Sequence, residues 1–148
     1  MWSLPPEERL AEWKEFRTFI GCFPFNEAVE KVVHYWSLAP FVGKFLSLDS
    51  TTWPDPWKLL ADGMYDDLAR ALGMIYTLVL STHGKSHTFE LVRMQDQESL
   101  EVFNIAIIDS DKYVLNYVYN EVISKKQLGE NLKVTHHFSA LDLQLSKY

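Results

Sequence analysis

The chain has 148 residues, 47% hydrophobic and 23% charged, which suits one domain with its own core and excludes wholesale disorder. A net charge of −6 disfavours general nucleic-acid binding, because an acidic surface repels phosphate. The single cysteine, Cys22, excludes an intrachain disulfide, and the longest apolar run, residues 73–80, is far short of the roughly 20 residues that span a membrane.

The opening residues carry neither the basic stretch nor the apolar stretch of a secretory signal. Ser3 is placed to cap a first helix, with Pro5 and Pro6 in its opening turn, and Gly21 stops it. Pro24 and Asn26 restart the chain. Val29, Val32, Val33 and Trp36 follow helical spacing up to Pro40. Residues 41–52 read as a loop. Asp55 followed by Pro56 predicts a short helix over 56–62 ended by Gly63. A longer helix is predicted over 65–80, and Gly73 inside it points to close packing on a neighbour.

From Ser81 onward the pattern alternates. Strands are predicted over 88–94, 100–108 and 113–119. Polar turns at 95–99 and at 109–112, the latter holding Asp109 and Asp111, join them into an antiparallel meander. In the third strand Tyr113, Leu115, Tyr117 and Tyr119 would share a face. Ser124 opens a short helix, residues 133–138 form a fourth strand, and alternation over 141–146 suggests a fifth. Helices first and strands second give an α+β fold, with helices packed on one face of an antiparallel sheet of four to five strands. Nothing divides the chain, so residues 1–148 read as one domain: a helical part over 1–52, then a helix and meander over 53–148.

No complete chemical signature is present. His83 and His87 flank a glycine-containing loop, and the neighbours His136 and His137 point to opposite faces of a strand, so no metal site is expected. His34 stands alone. Cys22 has no local base and reads as an incidental thiol. Asp66 and Asp67 open the long helix, where the helix dipole alone favours carboxylates. Glycines are scattered, which excludes a phosphate loop, and no cofactor is indicated.

The run Tyr65-Asp66-Asp67-Leu68-Ala69 at the head of a helix, followed by a strand meander, resembles the core of transglutaminase-like, papain-like domains. That resemblance covers about residues 56–120. It implies a nucleophilic cysteine at the helix start, a histidine on a following strand and an aspartate beyond it. Here those positions fall on Tyr65, Asn104 and Asn116, which makes the chain a degenerate version with no catalytic residue. Residues 36–123, with Trp53-Pro54-Asp55-Pro56-Trp57 and Lys112-Tyr113-Val114-Leu115-Asn116-Tyr117, also resemble small uncharacterised proteins of large tailed bacteriophages.

With 14% aromatic residues, these features lead to the expectation of a non-enzymatic phage protein that works by protein–protein contact. It would be a small structural or accessory virion component, with Trp53, Trp57 and Tyr65 as contact residues. Its partner would be a virion or host protein, with no nucleic acid and no membrane, and its place the virion or the infected cell's cytoplasm. Two alternatives are a host-directed inhibitor and a thiol-dependent hydrolase or acyltransferase with displaced catalytic residues. The last requires Cys22 to meet a histidine.

Overall fold

Prolines and glycines divide the first half of the chain into four helices. The computed structural model describes residues 1–40, 45–63, 65–110 and 112–148. Residues 41–44 of the expected loop and Asp111 of the expected turn lie outside them. Helix α1, Pro6–Ile20, begins after Pro5, whose extended backbone leads straight into it. Ser3 is therefore too far upstream to be the cap. Helix α2 spans Phe25–Ser37. Helix α3, Pro56–Asp62, starts where Asp55 accepts the Lys58 N–H at 2.8 Å and ends at Gly63, which takes the left-handed conformation at φ 66°. Helix α4 spans Asp67–Val79, because Asp66, not Tyr65, is its extended N-cap.

The second half forms β1 (Phe89–Asp96), β2 (Val102–Ile108), β3 (Tyr113–Leu115) and β4 (Leu132–Phe138). They make one antiparallel sheet in the order β3-β2-β1-β4. The expected meander is present. Strand β3 is shorter than expected because Asn116 turns to φ 70°, which ends the extended run. That turn also breaks the alternation: Tyr113 and Leu115 join the helix-facing core, whereas Tyr117 packs on the opposite face. The expected fifth strand is replaced by turns and a short 3-10 segment, Leu145–Lys147, with Gln144 at φ 55°.

The helices lie on one face of the sheet. Helix α4 packs on β1 and β2 and is flanked by α2 and α3. Trp13, Trp36, Leu72 and Ile75 meet Leu91, Ala106, Ile108 and Leu115 in this core. The expected close approach at Gly73 is real, since a Cβ there would sit 2.3 Å from the Trp36 ring. One turn on, Thr77 Oγ1 accepts the indole N–H groups of Trp36 at 2.9 Å and Trp13 at 3.1 Å. The other face carries a smaller core of Val92, Met94, Ile105, Ile107 and Val114. Residues 116–131, which cross from β3 to β4, bring Tyr117, Ile123 and Leu128 over it.

Candidate functional site

The head of α4 is fastened by two adjacent carboxylates with different tasks. Asp66 is 1% exposed. Its Oδ1 accepts the Ala69 N–H at 2.6 Å and its Oδ2 accepts the Leu46 N–H at 2.8 Å. It thus caps the helix and pins the 45–48 segment beside it. With Asp66 as the cap, Asp67 becomes the first helical residue, and its side chain reaches the sheet.

There it meets two asparagines. Asn104, on β2, donates to Asp67 Oδ2 from its side-chain Nδ2 at 3.0 Å and from its backbone N–H at 3.3 Å. Asn116, just past β3, places Nδ2 3.0 Å from Asp67 Oδ1, 3.1 Å from the Asp67 carbonyl and 2.8 Å from the Asn104 carbonyl. The positive φ of Asn116 aims this amide inward, a conformation asparagine tolerates better than most residues. Arg93 stands opposite Asn104 in the β1–β2 ladder and donates from Nη1 to Asn104 Oδ1 at 3.1 Å. A cationic donor on one side and a carboxylate on the other fix which way the Asn104 amide faces.

The cluster lines a cleft of about 630 Å³ between the 45–48 segment and the β2 and β3 end of the sheet. Phe45 and Tyr119, 73% and 70% exposed, stand on its walls. The positive end of α4 favours an anion at Asp67. Three donors fill about three of the four lone-pair positions of that carboxylate, so Oδ1 retains one acceptor position. The arrangement can hold an ionised carboxylate rigid and present one oxygen to a proton donor.

Of the positions expected to match a catalytic triad, Asn104 and Asn116 come together and Tyr65 does not join them. Tyr65 is fully buried, packed edge-on to Trp2 and Trp36, and its hydroxyl donates to the Leu60 carbonyl at 3.3 Å. Burial pushes its phenol up to about 12. The third member of the cluster is Asp67. Sequence reasoning assigned that residue only to the helix dipole and did not single out Arg93. Arg93 was legible as a charge on the helix-facing set of β1, in line with Phe89 and Leu91.

The remaining candidates have structural partners. Trp53 donates its indole N–H to the Ser47 carbonyl at 2.7 Å and packs on Phe138. Trp57 is 45% exposed and meets Tyr148 edge-on. Tyr65, buried as it is, offers no contact surface. Cys22 is exposed, and its Sγ lies 3.9 Å from the Thr18 carbonyl. The histidines bond elsewhere: His34 to Asn120, His83 to the Ile20 carbonyl, His87 to Asp109, His136 to Thr135 and His137 to Glu90. The thiol–imidazole pair required by the third expectation is absent among the described residues.

No protein-family model and no curated protein sequence matches the chain. Solved structures do share its fold. LapG of Legionella pneumophila superposes with a TM-score of 0.71 at 15% identity, over 91% of this chain and 75% of that one. An EGTA-treated form of LapG gives 0.70 at 16% identity over 91% and 74% of the two chains, and a calcium-bound form 0.72 at 14% over 93% and 78%. LapG is a transglutaminase-like, papain-like bacterial protease. The likeness in fold supports the core expected for residues 56–120 and reaches beyond it to nearly the whole chain. The expectation of a non-enzymatic virion component is corrected by this likeness, because the fold is one that a protease uses and the virion and structural terms gain no support from it. Among the described residues, no three His, Cys, Asp or Glu side chains gather to hold a metal ion.

Proposed function

We propose that the protein is a hydrolase of amide or ester bonds, built on the transglutaminase-like fold, in which water is the nucleophile in place of a thiol and Asp67, at the head of α4, is its general base. The observation that carries this reading is the convergence of Asn104 and Asn116 on the Asp67 carboxylate at the head of α4, inside a cleft. The thiol-dependent form of the idea does not fit, since Cys22 lies on the α1–α2 turn with no imidazole bonded to it.

Asp67 acts as general base. Its free Oδ1 position takes a proton from water as the water oxygen bonds to the substrate carbonyl carbon. The carbonyl π electrons move onto oxygen, and the oxyanion collapses with cleavage of the C–N or C–O bond. The proton then passes from Asp67 to the leaving nitrogen or oxygen, giving an acid and an amine or alcohol. Asn104 and Asn116 hold the carboxylate in place through this cycle.

The test is hydrolysis of a panel of fluorogenic peptides and activated esters by the purified chain. Turnover should fall about 100-fold or more in Asp67→Asn, the size of a lost general base, and should survive Cys22→Ser. No turnover of any substrate, or an Asp67→Asn variant as active as the parent, would overturn the reading.

A further inference from the structure

Arg93 is a half-buried cation without a carboxylate partner among the described residues. The ion pairs those residues form join Met1 to Glu12, His87 to Asp109 and His137 to Glu90. Arg93 instead spends one N–H on the neutral Asn104 Oδ1. Arg9, Arg17 and Arg70 are half-buried without a carboxylate partner too, but each keeps a buried Nε with no bond, whereas Arg93 has no such buried atom and its remaining N–H groups stay accessible on the cleft wall.

The charges around the cleft sharpen the point. Asp66 is capped and buried, and Asp67 is covered by three amide donors. Glu101 is exposed, at the start of β2. Arg70 lines the same cleft and donates to the Ala39 carbonyl. The lining thus sets two arginines against three carboxylates, and of the two it is Arg93 that stands in register beside the Asp67 cluster, so it is the local site for an incoming anion. A guanidinium has five N–H groups in a planar fork, and Arg93 commits one of them to Asn104, which holds the fork still.

We infer that Arg93 is a specificity-determining residue that receives an acidic side chain of a peptide substrate, next to the bond presented to Asp67. The inference rests on the hydrolase reading for the phrase "substrate"; the binding preference itself does not need turnover. The acidic side chain supplies the missing counter-ion through a two-point carboxylate–guanidinium contact.

The test measures binding by calorimetry, using the full chain carrying Asp67→Asn so that bound peptide stays intact. The probes are the capped pentapeptides Ala-Ala-Glu-Ala-Ala, Ala-Ala-Gln-Ala-Ala and Ala-Ala-Lys-Ala-Ala. The Glu peptide should bind about tenfold tighter than the Gln peptide, the size of one charge-assisted contact, and raised salt should shrink the margin. Adding Arg93→Met should bring the ratio near one. Arg93→Lys should keep a weaker preference, and Arg93→Glu should shift it towards the Lys peptide. Equal binding of the Glu and Gln peptides, binding of neither, or a preference that survives Arg93→Met would overturn the inference. Failure of the hydrolase reading looks different: the parent chain binds the Glu peptide preferentially and turns nothing over.

Discussion

Asn116 Nδ2 lies 3.0 Å from Asp67 Oδ1, joining a residue just past the edge strand to the first residue of the central helix, 49 positions away in the chain. The contact depends on a backbone conformation as much as on a side chain, since Asn116 sits at φ 70°.

Two substitutions at Asn116 separate these contributions. Asn116→Gly keeps access to positive φ and removes the amide, so it should cost about 1–3 kcal/mol from the bonds lost to Asp67. Asn116→Ala loses the same bonds and adds strain of about 1 kcal/mol. Urea denaturation of the two variants should rank alanine below glycine, and equal midpoints would remove backbone strain from the account.

Thr77 is the acceptor for two buried indoles, and its own hydroxyl donates to the Gly73 carbonyl at 2.7 Å. Thr77→Val keeps the shape and leaves both indole N–H groups unpaired, so a loss of about 2–5 kcal/mol is expected, whereas Thr77→Ser should retain most of the stability. Gly73→Ala should also destabilise, by about 1–3 kcal/mol, although alanine is the better helix former, because its Cβ has no space beside Trp36. Thermal unfolding followed by tryptophan fluorescence reads both effects.

Asp66 links the helix cap to the cleft wall. Asp66→Ala removes the acceptor for Ala69 and for Leu46, with an expected cost of about 1–3 kcal/mol. Amide hydrogen exchange should accelerate at Leu46 more than at Leu72 in the middle of α4. Uniform acceleration would mean that Asp66 serves the helix alone.

The acid limb of stability should include Asp109. Burial pushes its carboxyl up, but bonds from the Thr88 N–H and from His87, with the charge of His87 and Lys112, outweigh that and leave it below the usual carboxylate value. A depressed folded value means that Asp109 contributes stability above the unfolded carboxylate value, about 3.9, and loses that contribution as pH falls through its lower folded value. Asp109→Asn should therefore flatten the stability–pH curve in that acid window. Acid titration followed by circular dichroism of the two proteins is the measurement, and superimposable curves would contradict the assignment.

Where local chemistry was decisive, the sequence was readable. Asp55, Pro56 and Gly63 specify the start and end of α3 through short-range bonds and one glycine conformation, and the structure places them so. The step from helical to alternating patterning near Ser81 likewise marked the change from helices to sheet. Reading failed where one residue's backbone overrode a pattern. The alternation over 113–119 is genuine, yet the left-handed turn at Asn116 sends Tyr117 to the other face. The alternation over 141–146 collapses in the same way at Gln144.

Residue types and periodicities alone settled the class of fold and the lack of a cysteine at the head of α4, because each follows from the order of residues along the chain; Gly73 signalled a close approach, but that Trp36 makes it was decided by packing. The sequence did not reveal which carboxylate of the Asp66–Asp67 pair would face the sheet, or that Arg93 would stand on the cleft wall beside Asn104. Those outcomes depend on capping geometry and on the pairing of strands distant in sequence, and only packing all the elements together fixes them.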